Sequence, residues 1–147
     1  MDNEQVPGLK DEEKLFGLFS HLSIFFGGII IPIIFWAINK DKSKFVTFHS
    51  LQALFFHLLY VAVIFVFVFI IVIAGLALGF FSASHHSATG APIFVIGIIL
   101  FYGFLFITIL GVMAYSIYMG IKAYHGELKK YPIVGSIIYK RVYGTAY

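Results

Sequence analysis

Residues 29–54, IIIPIIFWAINKDKSKFVTFHSLQAL, decide how the rest of the chain is read. An apolar run holding Pro32 and Trp36 gives way to a polar turn with Lys40, Lys42 and Lys44, and a second apolar run then opens on His49 and Gln52. Tryptophan beside lysine at the end of an apolar run is the pattern of a helix leaving a bilayer. The turn is short enough to force the flanking helices antiparallel, with Asn39 placed to end one and Ser43 to cap the other.

Outward from this stretch the charges stay segregated. The 147 residues are 61% hydrophobic and 12% charged, about half the charge of a soluble chain. Residues 15–39 and 45–121 contain no Asp, Glu, Lys or Arg. A spanning helix needs about 20 apolar residues, so the bilayer is the expected solvent for most of the fold. The start, MDNEQVPGLKDEE, is acidic and lacks the basic end of a signal peptide, so the first apolar segment is expected to stay in the protein. There is no cysteine, which excludes disulfides, thiolate metal sites and a cysteine nucleophile. The net charge of +3 comes from basic residues beside apolar runs, which points to lipid contact and orientation rather than nucleic acid.

The pattern predicts an all-α integral membrane bundle of three transmembrane helices, the first kinked or broken, with interfacial amphipathic segments. Residues 1–10 read as a flexible tail, 11–126 as the transmembrane helical domain and 127–147 as a cytoplasmic interfacial tail. The first helix is expected over 11–39, interrupted at Gly27, Gly28 and Pro32, since proline removes a donor and clashes with the preceding turn. The second, over 44–81, is too long for one span, so 44–57 is expected at the interface or packed on the bundle. The third is expected over 92–125, closed by Gly126. Gly75 and Gly79 form a small-residue helix-packing pattern. Three spans place eight Lys and Arg residues on one side, opposite Lys10 and Lys14; a re-entrant first segment places all ten on one side. The basic side is the cytoplasmic one, and the location expected is the cell's inner membrane, crossed more than once.

His21, His49, Gln52 and His57 are the polar residues in or beside apolar helix. His49 and Gln52, three apart, share a face and are expected to tie the second helix to the first. His21 and His49 meet only if the first helix bends back. Such groups commonly face a bundle interior and bond the backbone; a metal or haem site needs more ligands than these. His85 and His86 in the outer loop read as a solvated turn or a weak metal-binding pair. Ser-His-Asp sets, paired carboxylates and phosphate loops are missing, so no catalytic residue, metal ligand or cofactor is nominated.

The strings Phe19-Ser20-His21-Leu22-Ser23, Ile31-Pro32-Ile33-Ile34-Phe35-Trp36, Lys40-Asp41-Lys42-Ser43-Lys44-Phe45-Val46 and Phe48-His49-Ser50-Leu51-Gln52-Ala53-Leu54 together resemble a bacterial membrane family of unknown function. Tyr131-Pro132-Ile133-Val134-Gly135 extends the likeness. That family is similar to the small channel-type subunit of the chloroplast inner-envelope protein-import translocon. The resemblance implies a helical membrane subunit engaged in translocation or complex assembly. The reading is therefore a non-enzymatic multi-pass subunit, a scaffold or translocation-like component. The alternatives are a small-molecule or ion transporter built on the broken first helix, and a histidine-based metal- or haem-binding membrane protein. The partners expected are membrane lipids and a second copy or a membrane complex.

Overall fold

The computed structural model describes residues 5–84 and 90–144; the pair His85 and His86 lies outside them. The described residues form α1 (Asp11–Leu22), a 3₁₀ turn (Ser23–Phe25), α2 (Ile30–Asn39), α3 (Lys44–Ser84), α4 (Gly90–Tyr124) and α5 (Val134–Tyr143). No strand is present among them, and an isolated bridge joins Gln5 to Glu127.

The expected span over 11–39 is corrected to two short helices. At 1.5 Å per residue, the 12 residues of α1 and 10 of α2 reach roughly 18 Å and 15 Å, short of a hydrocarbon core of about 30 Å. The chain breaks at Gly28, whose φ of +49° is left-handed and favours glycine. The Ser23 carbonyl gathers the amides of Phe26, Gly27 and Gly28 at 3.1, 2.7 and 2.6 Å. Pro32 does not kink a helix. It sits in the first turn of α2, where a missing N–H costs nothing because that amide has no intrahelical acceptor. Two helices, α3 and α4, are therefore long and apolar enough to cross a membrane, not three.

The chain divides into two compact units. Unit 1, Met1–Leu59 with Met113–Tyr147, has a real core: Phe45, Val46 and Phe48 from α3, Ala123 from α4, then Leu128 and Ile138. Residues 45–50 of α3 are buried without interruption, which a helix shows only when enclosed on every side. The turn before it is closed locally. Ser43 Oγ accepts the Val46 amide at 3.2 Å, and the Asn39 carbonyl accepts the amides of Lys42 and Ser43 at 2.9 and 3.0 Å. Gly126, at φ +77°, ends α4, and its carbonyl accepts the Val6 amide at 3.0 Å. Residues 5–9 are thus fastened, with Val6 and Leu9 packed on the core, where a loose tail is expected from sequence. Residues 127–144 also enter this core through Leu128, Tyr131 and Ile138, while Ile133 and Ile137 stay 75% and 62% exposed.

Unit 2, Tyr60–Val112, has no buried residue among those described. Its halves of α3 and α4 meet through Phe67 and Phe104, centroids 5.7 Å apart, and Gly75 lies against the Phe94 ring; Gly79 faces open space. Thr108 Oγ1 donates to the Phe104 carbonyl at 2.8 Å, so its hydroxyl is satisfied within the helix. The most apolar windows of α3 and α4 have mean hydropathies of 3.3 and 2.8, with none of either window buried. A soluble core helix of that composition would be covered by protein. These surfaces call for lipid.

Candidate functional site

The four polar residues singled out in the sequence all lie in unit 1 and all are buried, with His21, His49 and Gln52 fully inaccessible and His57 at 3%. The break after α1 folds the chain back, and His21 Nε2 stands 3.0 Å from His49 Nδ1, their rings crossing at 85°. Burial, helped by the neighbouring His49 and His57, holds His21 well below its ordinary pKa. A neutral imidazole has one N–H, so one ring of the pair donates and the other accepts.

His57 Nδ1 lies 3.2 Å from the Gly28 carbonyl. A carbonyl only accepts, so His57 carries its proton on Nδ1 and leaves Nε2 bare. Ser23 Oγ also approaches that carbonyl, at 2.9 Å, and the Ser20 carbonyl at 2.8 Å. Ser20 Oγ donates to the Phe16 carbonyl at 2.7 Å, which makes Ser50 the donor in the 3.0 Å contact between the two hydroxyls. The groups released by the helix break are thus bonded inside the protein.

Gln52 departs from the expected pairing. It shares a face with His49 yet reaches the segment after α4: Nε2 donates to the Lys129 carbonyl at 3.0 Å and Oε1 accepts the Tyr131 amide at 2.9 Å. Two backbone groups are thereby satisfied by one amide side chain. Tyr131 stacks on Phe56 at 4.1 Å and meets Tyr115 and His21 at 5.2 and 5.4 Å. Burial pushes its hydroxyl far above the usual tyrosine range. It lies towards Ser116, though neither hydroxyl closes a full hydrogen bond.

Several nitrogens and oxygens of this cluster stay unbonded: His21 Nδ1, His49 Nε2, which faces the Glu127 backbone without closing a bond, His57 Nε2 and Glu127 Oε2. The other Glu127 oxygen pairs with Lys122 Nζ at 3.0 Å. Among the described residues no three His, Cys, Asp or Glu come together as metal ligands. The His21–His49 contact explains part of this, since each ring spends one nitrogen on the other. The arrangement is suited to locking α1, α3 and the segment after α4 together.

The sequence model of the magnetosome magnetite crystal formation proteins, MamF/MmsF, matches residues 12–138, from the first turn of α1 to the middle of α5. The chain belongs to the MamF/MmsF family. No curated protein and no solved structure matches it. The bacterial membrane family read from the sequence is in this sense found, but nothing in the match points to the chloroplast import subunit.

Within this MamF/MmsF chain, sequence reasoning missed Ser20, Ser50, Glu127 and Tyr131. The two serines flank the histidines, at His21−1 and His49+1, and that symmetry is a signal available in retrospect. Glu127 and Tyr131 carry no such signal, because tertiary packing alone brings the segment after Gly126 to the histidines.

Proposed function

We propose that this MamF/MmsF protein is a non-enzymatic membrane subunit that acts in magnetite crystal formation as a structural component of the surrounding membrane. Unit 2 crosses the bilayer as a two-helix hairpin. All charged residues belong to unit 1, and by their excess of lysine and arginine this unit faces the cytoplasm. The observation that carries the reading is the placement of His21, His49, Gln52 and His57. Their bonds join distant parts of unit 1, and neither the cleft at Trp36 nor the apolar pocket of unit 2 is lined by any of them. The Gly28 carbonyl, which a transporter would turn to a substrate, is occupied by Ser23 and His57. Nothing comparable supports a translocation or haem-binding role.

The test is complementation in a magnetite-forming bacterium deleted for its own family member. Crystal size distributions measured by electron microscopy are expected to return to normal with this chain and equally with His57→Gln, whose amide retains a donor for Gly28. Failure of the deletion to alter the crystals would overturn the role. A His57→Gln protein that inserts and melts normally yet does not complement would replace the structural reading with a chemical one.

A further inference from the structure

One concave feature of unit 1 stands apart from the buried network. A cleft of about 250 Å³ is walled by Trp36 and Lys40 at the end of α2, Lys44 and Thr47 at the start of α3, and Arg141 near the end of α5; Leu51 and Val142 add apolar surface. We propose that this cleft binds a phosphate group, presented by the headgroup of an anionic phospholipid.

The charges make the first argument. Three cations, one just past the end of α2, one at the start of α3 and one in α5, line one small cleft, and all three residues are exposed. The ion pairs of Lys14 and Lys122 use other lysines, and no described carboxylate pairs directly with this group; Asp41, beside Lys40 in the sequence, is the nearest acid along the chain. The weak approach of Lys44 to the Tyr143 ring, 6.0 Å from its centroid, does not offset mutual repulsion. An anion does. The N-terminus of α3 adds the positive end of a helix beside Lys44, and arginine with lysine is the pairing suited to phosphate.

Size and surroundings select the kind of phosphate. Pockets for drug-sized ligands run to about 300–1,000 Å³, so this cleft suits a single headgroup. Trp36 stands on a helix whose Ile33, on the same side as Trp36 and Lys40 at about 100° per residue, is 41% exposed. Ile33 with Leu51 and Val142 offers apolar surface to the start of an acyl chain below a headgroup held at Lys40. Free phosphate has no use for it. The Thr47 hydroxyl is already committed to the Asn39 carbonyl at 3.3 Å, which leaves recognition to the cations and the indole.

Trp36 is the chain's single tryptophan, so its fluorescence reports on this cleft. The full-length protein in neutral detergent would be titrated with short-chain phosphatidylglycerol, short-chain phosphatidylcholine and inorganic phosphate. A saturable change in emission is expected with phosphatidylglycerol only. The double variant Lys40→Gln, Arg141→Gln is expected to bind roughly thirtyfold more weakly, as two charges lost near an anionic ligand imply, while its melting stays unchanged. Saturation by inorganic phosphate at the same affinity would reassign the site to free phosphate and overturn the lipid. An equal response to phosphatidylcholine, or an unaltered double variant, would overturn the site. The inference rests on the membrane reading for its source of ligand but not on crystal formation, and the titration is indifferent to any crystal phenotype.

Discussion

Gln52 bonds the backbone of residues 77 and 79 positions away, so one side chain ties α3 to the segment after α4 with two bonds. Its loss leaves the buried Tyr131 amide without this acceptor and removes one bond to the part-buried Lys129 carbonyl. A buried orphaned group costs about 1–3 kcal/mol and a lost hydrogen bond about 1 kcal/mol. Gln52→Ala is therefore expected to destabilise unit 1 by roughly 2–4 kcal/mol, and amide exchange over residues 129–138 should rise with it. Gln52→Glu keeps an acceptor for Tyr131 but loses the donor to Lys129 and buries a carboxylate, so it should be no better than alanine. Stability and exchange unchanged in the alanine variant would show that Gln52 does not hold this segment. The network's histidines act at the same scale but locally, each with one bond, and no single one joins three elements as His21, His49 and Tyr131 do together.

At the scale of elements, the deciding feature is the break between α1 and α2. Gly28 sits in left-handed backbone with open space where a Cβ would stand, so the penalty for a side chain there is conformational rather than steric. Gly28→Ala is expected to cost about 1–2 kcal/mol and to loosen the carbonyl held by Ser23 and His57. Gly79 gives the contrast. It has ordinary helical backbone and nothing nearby, so Gly79→Ala should stabilise α3 by about 0.5–1 kcal/mol. Thermal unfolding in detergent reads both. Equal melting of the two variants would mean that the break does not depend on the Gly28 conformation. α3 shows the complementary lesson, since its 41 residues reach roughly 60 Å, twice a bilayer core, and burial ends at His57. The surplus is spent on the core of unit 1.

For the whole molecule, two helices are long and apolar enough to cross a membrane, and crossing by both, as proposed, puts the residues before α3 and after α4 on one side. The bridge between Gln5 and Glu127 fits that proposal, because it brings residue 5 into unit 1 with the segment after α4. The absence of native cysteine makes labelling direct. Single cysteines at Lys10, Lys42 and Lys140, all exposed, are expected to react with a membrane-impermeant maleimide from the cytoplasmic side alone. Labelling at Lys10 from the opposite side would restore a spanning first segment and remove the two-span topology.

The amino-acid sequence alone determined what local chemistry controls: the charge-free runs that require a bilayer, the polar turn closed by Asn39 and Ser43, and the end of α4 at Gly126. Each depends on composition or on groups a few residues apart. It also stated the condition for His21 to meet His49, a first helix that bends back, without being able to meet it. Whether residues 11–39 make one helix or two rested on the backbone angle at Gly28 and on the partners waiting for its carbonyl, one of them His57 on another helix. The direction taken by Gln52 and the burial of Tyr131 were likewise decided only by the tertiary structure. The reason is the same in each case: the free energy lies in hydrogen bonds and contacts between groups distant in sequence, and periodicity carries no record of which distant groups will meet.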